Sequence, residues 1–253
     1  MATIGKTLHI YYRHVHIKAD RTSRDPGKRR PAWFSHEGCF VNLLHTIRAD
    51  KLSDRVQITI VYDGTPDDFI DDFSSQYCVG QTPEISLQFI KAGSDINSFL
   101  ITLYMARTAT MPQDDLIYIL ENDYLHQHEW VSKVFELKNS GIVFDYLSLY
   151  DHRDKYDFPM YQSLTASLFY SPSHHWRTAP STCASFLIRK QTLDADYAIL
   201  TSGMTDYYFF SKLVGENQRV LLTPIPGLAT HCMEGYLSPV VAWDKLAALP
   251  KDS

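Results

Sequence analysis

A chain of 253 residues, 45% hydrophobic and 21% charged, can bury one substantial core and has the composition of an ordinary soluble globular protein. A formal net charge of -5 argues against a surface given over wholly to nucleic acid, although Lys18, Arg21, Arg24, Lys28, Arg29 and Arg30 crowd one stretch against only Asp20 and Asp25. Four scattered cysteines (Cys39, Cys78, Cys183, Cys232) with no Cys-x-x-Cys spacing disfavour a zinc ribbon and a disulfide scaffold and fit a reducing compartment.

Thr7 to His16 reads as a first strand, and its His9, Arg13, His14 and His16 are unlike a signal peptide. No apolar run reaches the ~18 to 20 residues of a membrane span, so a cytoplasmic, soluble protein is expected. Lys18 to Pro31, charged and carrying Pro26-Gly27, reads as a loop, either a solvated lid or a binding surface. A helix is expected from near Ser35 to about Ala49, with Phe40, Leu43, Leu44 and Ile47 at core spacing. Val56 to Tyr62 forms the second strand, and Thr65-Pro66 then caps a short helix through Phe73 with acids in its first turn. Ile85 to Ile90 is the third strand, followed by a helix with Ile96, Phe99, Leu100, Leu103 and Tyr104 on one face. Leu116 to Leu120 is the fourth strand, His128 to Asn139 a helix, and Ile142 to Tyr150 a fifth strand.

This alternation predicts an α/β protein whose parallel sheet is covered by helices on both faces. Residues 151–184, rich in Ser, Thr, Pro, Tyr and His, read as less regular. Helices near Gln191 to Leu200 and Thr205 to Val214 and a short strand around Val220 to Leu222 follow. With no repeat and no flexible linker, residues 1–253 are expected to form one domain, its nucleotide-binding-like half ending near residue 150.

The most specific stretch is Leu116-Ile-Tyr-Ile-Leu-Glu-Asn-Asp-Tyr-Leu-His126. On an extended backbone, Glu121 and Asp123 point to the same side, at the end of a hydrophobic strand where an α/β sheet opens to its ligand. Two such carboxylates suit a divalent cation that also holds phosphate oxygens, which points to a metal-dependent transferase with a nucleotide-linked donor.

The order of motifs resembles the GT-A class of nucleotide-sugar-dependent glycosyltransferases, most closely its large inverting family, over roughly residues 7 to 231. Val61-Tyr62-Asp63-Gly64 is similar to the family's strand ending in Asp-Gly. Lys91-Ala-Gly-Ser-Asp-Ile-Asn97 is similar to its Gly-containing turn into a helix, and Glu121-Asn-Asp123 to its Asp-x-Asp metal motif. Gly203-Met-Thr-Asp206 is similar to the segment whose Asp is the general base. Two departures stand out: Glu replaces Asp at the first metal-motif position, and Thr rather than Glu precedes Asp206.

The resemblance implies a Rossmann-like GT-A fold with a mostly parallel central sheet and a less regular C-terminal acceptor region. It implies Mn2+ or Mg2+ held by Glu121, Asp123 and a late His231, and a nucleotide-diphosphate sugar as donor, with UDP favoured. Arg13, Asp63, Lys91, Asn97 and Asn122 would contact that donor, and Asp206 would deprotonate the acceptor hydroxyl in a transfer with inversion. Trp176, Arg177 and Thr182, in a donor-rich loop, are candidates for a sugar platform. The tail Met233 to Trp243 either folds over the site or docks on the sheet.

Each feature also has an ordinary reading: Glu-Asn-Asp as a polar turn, Asp63 as an Asp-Gly turn, Asp206 as a helix cap and His231 as a surface histidine. Rival functions are a metallohydrolase using His14, His16, Asp123, His126 and His128, a nucleotidyltransferase, and a non-catalytic carbohydrate or nucleic-acid binding module. A saccharide acceptor is expected; a modified nucleic-acid base is the remoter option.

Overall fold

Residues 116–120 are apolar without interruption because both faces of their strand are covered, whereas the edge strand Glu84–Ile90 alternates and has no fully buried residue. In a computed structural model that describes residues 7–15, 28–77 and 83–248, β1 (Leu8–Val15), α1 (His36–Arg48), β2 (Val56–Asp63), α2 (Pro66–Ile70), β3 (Glu84–Ile90), α3 (Asp95–Thr108) and β4 (Leu116–Glu121) alternate strictly. Ile10 and Tyr12 of β1 and Leu116, Tyr118 and Leu120 of β4 pack into one core cluster with α1. Their alternates Tyr11, Ile117 and Ile119 pack into a second cluster with α3. The side-chain period of two thus divides each strand between two cores.

Serine and threonine side chains set the starts of α1, α2 and α3. Ser35 Oγ accepts from Gly38 N at 2.9 Å and Ser94 Oγ from Asn97 N at 3.2 Å. Thr65 and Asp68 close a reciprocal capping box on α2.

The chain continues through β5 (Tyr124–His126), α4 (Trp130–Asn139), β6 (Tyr146–Leu147), α5 (Asp154–Asp157), β7 (Leu168–Ser171), β8 (His174–Thr178), β9 (Phe186–Arg189), α6 (Lys190–Leu200), α7 (Asp206–Phe210), β10 (Leu221–Ile225), β11 (Ala229–His231) and α8 (Trp243–Ala247). The main sheet has the order β3-β2-β1-β4-β9-β6-β10-β8-β7. All its strands except β8 and β9 run in one direction. This is a Rossmann-like α/β fold, with a mostly parallel sheet flanked by helices. A separate antiparallel pair, β5 with β11, sets His231 opposite Tyr124.

Several expectations change. The buried face of α3 is Ser98, Phe99, Thr102, Leu103 and Ala106, whereas Ile96 and Tyr104 are 48% and 59% exposed. Polar residues turn inward there because Thr102 Oγ1 donates to Ser98 O at 2.7 Å, which satisfies the hydroxyl within the helix. The fifth strand shrinks to Tyr146–Leu147, and Val143 is exposed. Residues 151–184 contain the β7–β8 hairpin, and β9 inserts antiparallel between β4 and β6. Trp243 is buried with Cys39, Leu125 and Cys232, so the tail docks on α1 and the small sheet. His16 and residues 18–27 of the basic stretch lie outside the described residues, as does Cys78. Among the described residues no helix is long and apolar enough to cross a membrane.

Glu129, the residue before α4, has φ 61° and makes no side-chain cap. Asp50, buried just after α1, substitutes for it. Its carboxylate accepts from Ser132 N (3.0 Å), Ser132 Oγ (2.6 Å) and Leu52 N (2.9 Å). Asp50→Ala, which strands three donors, should destabilise the protein by about 3 kcal/mol in urea unfolding; a loss under about 0.5 kcal/mol would show that α4 needs no such anchor.

Candidate functional site

A cleft of about 410 Å³ opens at the carboxyl ends of β1, β2 and β4, against the start of α3. In a parallel sheet this edge gathers the residues that follow each strand, which is why Arg13, Asp63, Asp95, Glu121 and Asp123 meet there from distant parts of the sequence. Of the basic stretch, Lys28 and Arg30 line the same cleft.

Asp123 is its most constrained group. Oδ2 accepts from Arg30 Nη2 at 2.7 Å and His231 Nε2 at 3.0 Å. Oδ1 is buried and receives no hydrogen bond among the described residues. Burial alone would raise its pKa, but His231, Arg30 and Lys28 outweigh that and hold the carboxyl well below its usual range. Asp123 therefore stays ionised. Glu121 shifts the other way: burial and the neighbouring Asp123 charge push it up, against the pull of Arg13. Ser185 Oγ donates to Glu121 Oε2 at 3.0 Å and accepts from Glu121 N at 3.1 Å.

Arg13 Nη1 lies 3.9 Å from Glu121 Oε1 and makes no hydrogen bond among the described residues. The other end of this guanidinium is fixed, Nη2 donating to Asp95 O at 2.7 Å and Asp95 Oδ1 at 2.5 Å. A buried cation with a spare donor and an ionised carboxylate with a spare acceptor line the same cleft. This arrangement suits a bound phosphate and its counter-cation.

A chain of hydrogen bonds holds Asn122 between the two acids. Asn122 Nδ2 donates to His14 Nδ1 at 2.9 Å, and His14 Nε2 faces both oxygens of Asp72 at 3.1 Å. On its far side, Asn122 O accepts from His36 Nδ1 at 3.1 Å. Asn122 thus acts in positioning its neighbours. His14 has a metal role only in the rival metallohydrolase reading, and Asp72, 58 residues away, leaves no spacing signal; the one local sign is a His inside an apolar strand.

The C-terminal half supplies His231 and Asp206. The His231 ring stacks on Tyr124, with centroids 5.1 Å apart and planes within 4°. Asp206 is the first residue of α7, and the preceding Thr205 makes no side-chain cap. Its Oδ1 accepts from its neighbour Tyr207 N at 2.7 Å. Burial raises its pKa, against the pull of its hydrogen bond from Tyr207 N and the charge of Lys155. A second cavity, about 240 Å³, is lined by Asp206 and shares Asp95 with the first.

Other expected residues have different work. Asp63 lines the cleft, but its carboxylate accepts from Ala92 N (2.8 Å) and Gly93 N (3.3 Å), fixing the turn after β3. Asn97 Nδ2 donates to Ala92 O in the same turn, and Lys91 is exposed. The sugar platform does not form. Trp176 is fully buried in the main sheet, its indole N–H donating to Ser171 Oγ, so no sugar can stack on it. Arg177 is buried in an ion pair with Asp151 at 2.8 Å, and Thr182 Oγ1 donates to Ser148 Oγ at 2.8 Å. His126 is a core residue whose pKa falls to about 3 through burial, with Nε2 3.1 Å from Tyr118 OH. His126 does not line the cleft that holds Asp123.

No family model and no curated protein matches the chain. Among solved structures, it is similar to mouse xyloside xylosyltransferase 1 (10% identity, 84% of each chain covered, TM-score 0.45). It is also similar to a galactosyltransferase in complex with donor and acceptor sugar analogs (7% identity, 81% of this chain and 69% of that one, TM-score 0.42). A Bacillus anthracis protein described as a glucose-1-phosphate thymidylyltransferase gives 10% identity, 96% of each chain and a TM-score of 0.47. At these identities the likeness concerns the path of the chain alone, and glycosyl- and nucleotidyltransferases are both represented.

The His14–Asp72 pair yields a pH signature. Burial opposes ionisation of Asp72, but His14 and Ser74 prevail and lower its pKa to about 2. A folded-state pKa below the ordinary value contributes stability that is full above about pH 4 and is lost as the pH falls toward 2. Asp72→Asn should therefore lose about 2 kcal/mol at pH 7, a gap that closes between about pH 4 and pH 2 in urea titrations. A gap independent of pH would refute the account in which His14 and Ser74 hold Asp72 ionised.

Proposed function

We propose that this protein is a metal-dependent glycosyltransferase that moves a sugar from a nucleoside-diphosphate sugar to an acceptor hydroxyl with inversion. The observation that carries this reading is Asp123: a buried, ionised carboxylate with one oxygen unpartnered among the described residues, sharing with Arg13, Lys28 and Arg30 the lining of a cleft at the carboxyl edge of the sheet. UDP is favoured as the nucleotide by the resemblance of the motif order, and the acceptor is read as a saccharide or glycoside. Residues to about 150 would bind the donor, and those after 151 would present the acceptor.

The donor set fits a hard cation that is shared with phosphate. Among the described residues no group of three or more His, Cys, Asp and Glu is placed to hold a metal by itself. A cation that already holds phosphate oxygens needs only one or two protein carboxylates. Asp123 through Oδ1 and His231 at its side would hold Mn2+ or Mg2+, with Glu121 beside them directly, through water or on the ribose. When bound, such an ion neutralises charge that develops on the departing diphosphate.

The chain's own residues supply the rest. Arg13 offers Nη1 to a phosphate oxygen, while Asp95 fixes the other side of its guanidinium. Arg30, now paired with Asp123, is within reach of the same anion. Asp206, raised in pKa by burial, accepts the proton of the acceptor hydroxyl. That oxygen bonds to the anomeric carbon as the bond from that carbon to the phosphate oxygen breaks, and the nucleoside diphosphate departs.

A panel of nucleotide sugars scored for nucleoside-diphosphate release with Mn2+ tests the reading; release of pyrophosphate instead would make the protein a nucleotidyltransferase. Asp123→Ala should lower turnover by about a thousandfold while the protein keeps a native circular-dichroism spectrum. Asp206→Asn should reduce kcat by about a hundredfold or more with donor affinity unchanged. Full activity in the first variant, or equal loss of donor affinity in the second, would contradict these roles.

A further inference from the structure

The cavity of about 240 Å³ between α3 and α7 is unlike the donor cleft next to it. Its walls are Phe99, Leu100, Leu200, Met204 and Phe209, and its carboxylates are Asp95, shared with the donor cleft, and Asp206. Phe99 and Phe209, both largely buried, lie with their rings within 7° of parallel and their centroids 6.1 Å apart. Gly203 (φ +79°) turns the chain between α6 and α7, so that Met204, 36% exposed, and Asp206 come onto this cavity together. Ile96 of α3, 48% exposed, belongs to the same lining.

A sugar ring, hydroxylated on every edge, would press unsatisfied hydroxyls against these walls, which is costly. The volume lies below the ~300 to 1,000 Å³ of sites that enclose a whole drug-sized ligand, so it suits a fragment of one.

We infer that the acceptor carries an apolar group the size of an aromatic ring or short alkyl chain next to its reacting hydroxyl, and that this group seats between α3 and α7 while the hydroxyl meets Asp206. The inference rests on the transferase reading, with Asp206 as base, and adds the chemical class of acceptor to it. The substrate is an aryl or alkyl glycoside or a comparable amphipathic alcohol. A free oligosaccharide would leave the cavity's walls unused.

The test uses matched pairs of p-nitrophenyl and methyl glycosides of glucose, galactose, xylose and mannose, with binding to the full chain followed by ligand-observed NMR, and UDP with Mn2+ titrated in parallel. The nitrophenyl member of each pair should bind about tenfold more tightly, whichever sugar it bears, because ring burial is not specific to the sugar. The double variant Ile96→Gln, Met204→Gln alters two partly exposed positions. It should bring the two members of each pair together without moving the melting temperature. Equal binding within pairs, or a preference that survives the double variant, would overturn the inference. UDP binding without an aryl preference would do so while leaving the transferase reading standing. An aryl preference without any binding of UDP would remove both that reading and the acceptor assignment.

Discussion

A single buried anion organises this site. Asp123 sits where a charge is most expensive to keep, and it is kept because Arg30, His231 and the more distant Lys28 surround it. These groups come from two distant parts of the chain: the basic stretch before α1 and the small sheet. Whatever holds the carboxylate ionised also ties these parts together. Arg30 does this visibly, donating to Asp123 and to Cys232 O (2.9 Å) while its guanidinium lies 4.7 Å over the Phe34 ring. The neighbouring Glu121 feels the opposite pressure, and two acids in adjacent environments acquire different proton affinities.

The sheet explains why the parts meet. Parallel strands deliver their following residues to one edge, and the order β3-β2-β1-β4 brings Asp63, Arg13 and Glu121 side by side there. The antiparallel β5–β11 pair then folds His231 back onto the turn that carries Asp123. Positioning relies on groups that touch no ligand: Asp72 and His14 on one side of Asn122, His36 on the other, and Ser185 beneath Glu121. Asp63 and Asn97 belong with these, since both are spent on the turn after β3.

The N-terminal half was legible from the sequence because its physics is local. β-Branched runs, serine caps and the Thr65-Pro66 start each announce an element within a few residues, and β1 to β4 appear where expected. The acidic pair was legible for the same reason, since a period of two along a strand requires no tertiary knowledge. Beyond residue 151 the determinants are distant. β9 is four residues whose place between β4 and β6 depends on both neighbours, and the β7–β8 hairpin lacks alternating apolar residues on its outer strand. Trp176 misled because an indole beside Arg, Ser and Thr resembles a sugar platform, whereas its hairpin partner Phe169 and Pro224 of β10 enclose it. The support offered by Asp72 and Ser185 spans 58 and 64 residues, and nothing in a linear pattern foretells it.

The central claim is that Asp123 and the cations around it receive a diphosphate together with its metal ion. Crystals grown with UDP and Mn2+, and measured at the manganese absorption edge, test that most directly. The account predicts an anomalous peak at coordination distance from Asp123 Oδ1, with phosphate density between it and Arg13. Manganese bound elsewhere, or nucleotide density outside this cleft with Arg30 still paired to Asp123, would contradict it.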